Sequence, residues 1–250
     1  MTLTSSSVSL TSTSPERTSA DPSSGKSHQR SGSSHDAAPK TDWRCRPGRE
    51  HYRTPCAFKL VYAAGTPAIA AVYADRYGIE NFLWLSDIAL GLTTTAVIAE
   101  RPLPASLAAV SVLPLELAWN VDFVARGRLF GLAGYMFDRK LPGGVRALWL
   151  FHVALPPTLF WLLREFGYDR RAFAIQCGIT WTVLPLTYAL TDPAKNINWV
   201  FGPGARPQHR IPPLLYLTLA MLAFPLLVHW PTHASMRWLF PAPWPDRQSR

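Results

Sequence analysis

Polar residues that could do chemistry stand inside otherwise apolar stretches of this chain. They are Asp87 in LWLSDIALGL, Glu116 and Asn120 in LPLELAWNVDF, and His152 in LFHVALPP. Glu116 and Asn120 are four residues apart, so on a helix they share one face. Ser86 directly precedes Asp87. Two acids, an amide, an imidazole and a hydroxyl are the inventory for proton transfer, divalent-metal coordination or His-assisted activation of a hydroxyl. In the last case Ser86 is the nucleophile, His152 the base, and Asp87 or Glu116 the group that orients the base. That chemistry requires Ser86 or Asp87 within about 4 Å of His152. No dedicated metal motif or cofactor fingerprint accompanies these residues, so neither a metal nor a cofactor is expected.

Depth in a bilayer makes these residues informative. A charged side chain at the centre costs at least about 2.5–3.5 kcal/mol on insertion scales. A hydrogen bond between membrane helices returns about 0.6 kcal/mol on average. Packing alone therefore does not offset the charge, and a set spread over three successive helices favours function. Gln176 and Thr180 read as ordinary interhelical hydrogen bonding, Asp122 as interfacial, and Cys177 as a small core residue.

The elements that must position these residues are helices. The chain has 250 residues, 48% hydrophobic and only 16% charged, with 23 Pro and 10 Trp. Soluble domains average about 25% charged. The mean hydropathy of +0.04 averages two unlike regions. Residues 1–40 hold 18 Ser or Thr and almost no large apolar residues, a composition that predicts disorder. Residues 41–57 read as a basic juxtamembrane segment. Residues 58–240 read as an all-α polytopic membrane bundle of about six transmembrane helices, and 241–250 as a C-terminal tail. The expected spans are 58–74, 81–99, 104–124, 147–163, 172–190 and 213–230, each about the length needed to cross a bilayer. They are apolar on all faces, which argues against a soluble helical domain. Prolines 67, 114, 156, 157, 185 and 225 lie inside them, as membrane helices tolerate.

Two connections are long: 126–146, expected to carry a short interfacial helix, and 191–212, expected to form an interfacial or re-entrant element. Lys and Arg divide ten to nine between the two faces, which tips both termini weakly to the cytoplasm. The net charge of +9 then belongs to the membrane surface. No nucleic-acid motif accompanies it, so the expected partners are the lipid bilayer and a lipid substrate. Cys45, His51 and Cys56 do not have a zinc spacing, and reduced thiols are the plain expectation for them.

Residues 58–240 resemble a family of uncharacterised bacterial multi-pass membrane proteins, through NFLWLSDIALGLT, LPLELAWNVDF, GLAGYMFDRKLP, LFHVALPP and TDPAKNINWVFGPG. A remoter similarity points to the YwaF-like six-helix superfamily, which includes intramembrane acyltransferases and fatty-acid-ester hydrolases. That resemblance implies a nucleophile at Ser86, where those enzymes carry Cys or Thr, and a helix-borne base at His152. It leaves Asp87 and Glu116 without a role.

Overall fold

The computed structural model describes residues 54–139, 142–204, 206–240 and 242. The expected tail, most of the basic segment and most of the C-terminal tail lie outside them. The described residues are helical, with no strand among them. In chain order the helices are α1 (Cys56–Tyr77), α2 (Leu85–Ala99), α3 (Pro102–Val124), α4 (Gly143–Leu148), α5 (Phe151–Phe166), α6 (Ala172–Leu190), α7 (Pro213–Ala223) and α8 (Trp230–Leu239). Five helices are long and apolar enough to cross a membrane: α1, α3, the α4–α5 pair, α6 and the α7–α8 rod. α2, with 15 residues, is apolar but shorter. The expected helical bundle is therefore what the chain forms.

α3 is the centre, packed against α2, α5 and α6. Small residues make this possible: Ala105, Ser106, Ala108, Ala109 and Ser111 are all fully buried, and without bulky side chains neighbouring backbones approach closely. α1 lies at the periphery and buries only Tyr62 and Tyr73. The α7–α8 rod exposes Leu214, Leu215, Leu222, Leu226 and Leu227. An apolar rim of this extent suits hydrocarbon rather than water. Every expected internal proline lies within a helical stretch. At Pro225 the rod widens into a π-helical turn over Phe224–His229, because proline supplies no amide to the regular ladder.

Three expectations change. The second span does not start at residue 81: Ile79–Leu83 form a 3₁₀ turn and α2 begins at Leu85. α5 begins at Phe151 behind the separate short helix α4, rather than at 147. Cys56 is disulfide-bonded rather than reduced, whereas Cys177 is free and buried.

The first long connection is built around Asp122. Its Oδ1 accepts from the Leu129 and Phe130 amides at 2.9 and 2.8 Å, and its Oδ2 accepts from Ala133 at 2.8 Å. The carboxylate is wholly buried, so its role is to fold this turn rather than to face water. Within it Gly127 has φ +72° and its Cα side abuts the Gly134 backbone, leaving no room for a side chain.

Candidate functional site

The late starts of α2 and α5 decide where the polar residues lie. Asp87 stands in the first turn of α2 and His152 in the first turn of α5. Glu116 and Asn120 lie within the last two and a half turns of α3. All four therefore gather in the same half of the bundle.

His152 and Glu116 meet directly, with Nδ1 of the imidazole 2.8 Å from Glu116 Oε2. Both side chains are buried, at 8% and 4% exposure. A carboxylate only accepts, so with Glu116 in that form Nδ1 supplies the hydrogen of this contact, and in the neutral tautomer Nε2 is then the lone-pair nitrogen. Asn120 binds the same junction from the backbone side. Its Nδ2 donates to the Glu116 carbonyl and to the His152 carbonyl, each at 2.8 Å, tying α3 to the start of α5. The imidazole is clamped by rings: Phe151 at 4.0 Å, Trp119 at 4.8 Å and Trp149 at 5.9 Å between centroids. Such packing holds one ring orientation.

Asp87 belongs to the same cluster. Its Oδ2 accepts from Asn81 Nδ2 at 2.8 Å, and Glu116 lies close enough for its charge to reach Asp87. Two phenols lie close by. Tyr135 accepts a hydrogen bond from Trp119 Nε1 at 3.2 Å; burial, with the nearby Glu116 and Asp87 charges, pushes its ionisation well above the ordinary phenol range. The hydroxyl of Tyr73, a residue 1% exposed, has no hydrogen-bond partner among the described residues, and neither has Trp149 Nε1. Their rings are 5.3 Å apart. Two buried donors without an acceptor beside an acid–imidazole pair are polar capacity that the protein itself does not use.

Ser86 is half-buried, and among the described residues no hydrogen bond joins it to His152. The structure thus brings together Asp87, Glu116, Asn120 and His152, and leaves Ser86 beside them rather than in the bonded set. No group of three or more His, Cys, Asp or Glu suited to a metal ion occurs among the described residues.

The second long connection positions α2. Asn198 Oδ1 accepts from the Leu85 amide at 3.0 Å, and its Nδ2 donates to the Leu83 carbonyl at 2.7 Å. It thereby caps the helix that carries Ser86 and Asp87, a helix with no cap of its own. Asn196 folds the loop onto itself through the Gly202 and Gly204 carbonyls and the Phe201 amide. Asn196, Asn198 and Trp199 all have positive φ, a conformation that asparagine tolerates better than most residues. The NINW stretch is therefore a built brace.

A second buried network went unrecognised in part. Gln176 donates to Ser111 and Thr180, and Thr180 meets His229 Nε2 at 2.9 Å. His229 Nδ1 faces the Val110 carbonyl at 2.9 Å, which fixes the hydrogen on Nδ1 and makes Thr180 the donor to Nε2. This chain ties α3, α6 and the π-helical turn together, as the interhelical reading of Gln176 and Thr180 expects. His229 was missed because LLVHW places one His near the end of an apolar run, where an interfacial position is the ordinary reading.

Comparison with protein-family models, with curated proteins and with solved structures finds no match to this chain.

Proposed function

We propose that this protein is an intramembrane, lipid-active acyl hydrolase or acyltransferase, in which the Glu116–His152 dyad supplies the general base. The observation that carries this reading is the 2.8 Å contact between His152 Nδ1 and Glu116 Oε2. It presents Nε2 as a proton acceptor of fixed orientation, which general-base catalysis needs. Ser86 is the nucleophile of this reading. Its Oγ bonds to the acyl carbon while its proton passes to His152 Nε2, and that proton then leaves with the departing alkoxide. The Ser86–His152 approach closes when substrate binds, since such contacts are often long in the free state. Tyr73 Oη and Trp149 Nε1 are the donors available to the developing oxyanion. The substrate is a lipid ester reached from the bilayer, and the setting is the bacterial inner membrane.

A lipid-like fluorophosphonate tests this directly. Labelling of the wild-type protein that is lost in both Ser86→Ala and His152→Ala supports it. Labelling unchanged by Ser86→Ala sinks the nucleophile, and labelling unchanged by His152→Ala sinks the dyad.

A second reading is a proton- or cation-coupled transporter, favoured by the interaction between the Asp87 and Glu116 charges. It expects proton-driven uptake by proteoliposomes that Asp87→Asn abolishes. A non-catalytic scaffold would give neither signal.

A further inference from the structure

A cavity of about 280 Å³ opens where α1 ends, lined by Arg76, Tyr77, Asn81, Trp84, Lys195 and Ile197. We propose that it holds the phosphate diester of a phospholipid headgroup. The proposal concerns binding and stands whether or not the acyl chemistry above is correct.

Charge is the first argument. Lys195 pairs with Glu80 and donates to the Tyr77 carbonyl at 3.1 Å, so its charge is largely balanced and its position set. The Lys195 hydrogen bond also holds the Glu80 carboxyl below the ordinary carboxylate range. Arg76 has no ion pair or hydrogen bond among the described residues. Asp75 precedes it on α1, but successive helical residues face different directions. Arg76 is therefore the uncompensated charge of the cavity. A guanidinium presents a planar fork that matches two phosphate oxygens.

Setting is the second argument. Tyr77 and Trp84 line the cavity at the end of a membrane-length helix, the level at which amphipathic rings and lipid phosphates both reside. The size agrees. Drug-sized ligands occupy pockets of about 300–1,000 Å³, so this space suits a phosphate and the adjoining glycerol, with the acyl chains remaining in the bilayer.

Position is the third. Asn81 lines the cavity and also donates to Asp87 at 2.8 Å. A headgroup held here lies one side chain away from the acid–imidazole cluster.

The test uses the full-length protein in detergent, with bound lipid counted by native mass spectrometry. The ligands are phosphatidylglycerol, a phosphate-free diglucosyl diacylglycerol, and inorganic phosphate. The expected result is retention of phosphatidylglycerol over the glycolipid. Arg76→Gln lowers that retention about tenfold, as loss of a charge-assisted hydrogen-bonded pair does. Arg76→Lys restores part of it, and Arg128→Gln, at the same end of the bundle but outside the cavity, changes nothing. Because Arg76 is exposed and unpaired, unchanged thermal midpoints are expected for its variants. Equal retention of both lipids, no effect of Arg76→Gln, or an equal loss in Arg128→Gln each overturns the proposal. Displacement of the lipid by millimolar inorganic phosphate would assign the cavity to the free anion and overturn the lipid source.

Discussion

Asn198 caps Leu85. The side-chain oxygen of one residue accepts the backbone amide of another 113 positions earlier, at 3.0 Å. The helix carrying Ser86 and Asp87 is thus started by a loop from the far end of the chain. Asn198→Ala removes the cap and leaves the Leu83 carbonyl without its donor. A loss of about 1–3 kcal/mol is expected. Asn198→Gly loses the same bonds but accepts φ +52° freely, so it should fall about 1 kcal/mol less. Thermal unfolding in detergent separates the two, and equal losses would remove the backbone argument.

The Glu116–His152 contact predicts strong coupling. Glu116→Gln keeps an acceptor for Nδ1, whereas Glu116→Ala leaves a buried N–H unpaired. The alanine variant should be the less stable, by about 1–3 kcal/mol. A double-mutant cycle with His152→Ala should return a coupling of about 0.5–3 kcal/mol. Strict additivity would mean that the two side chains do not act as a pair.

Asp122 organises its turn through three backbone amides. Asp122→Ala orphans them together and should destabilise by more than about 2 kcal/mol. Trypsin reports the consequence locally, because Arg126 and Arg128 lie in that turn. Faster cleavage there in Asp122→Ala is expected, and an unchanged cleavage rate would show that the turn folds without the carboxylate.

Asp169 makes stability depend on acid. Burial works against its charge, but the Arg171 side chain and amide, at 2.7 and 3.0 Å, hold the carboxyl below the ordinary range. A depressed folded-state value means stabilisation above the unfolded value of about 3.9, lost as pH falls through the lower folded value. The gap in thermal midpoint between wild type and Asp169→Asn should be constant from pH 5 to 7 and shrink below about pH 4. A gap that grows towards acid would reverse the assignment.

Orientation can be read chemically. The ten-to-nine charge division predicts the Asp122 turn on the outer face. The disulfide at Cys56 pulls the other way, since such bonds persist in oxidising compartments. A membrane-impermeant maleimide applied to intact cells should react with Arg128→Cys and not with Arg170→Cys. The opposite pattern would put the N-terminal face outside.

The helices were legible because lipid removes any need for a polar face. Runs such as 172–190 and 102–124 are apolar all round, and composition with length suffices to find them. Glu116 and Asn120 sharing a face followed from helical period alone. Helix starts were less legible. Residues 81–84 (NFLW) are apolar enough to belong to α2, yet Asn198 stops the helix at Leu85 from more than a hundred residues away. That displacement moved Asp87 from about a third of the way along the expected span to the first turn of α2. The pairing of His152 with Glu116, rather than with Ser86, depends on how α3 and α5 are rotated against each other. No local spacing encodes that rotation. The sequence determined which side chains were available and on which helices, because period and hydropathy are local properties. Only the tertiary structure decided which of them touch, because a contact between helices is set by the packing of all of them at once.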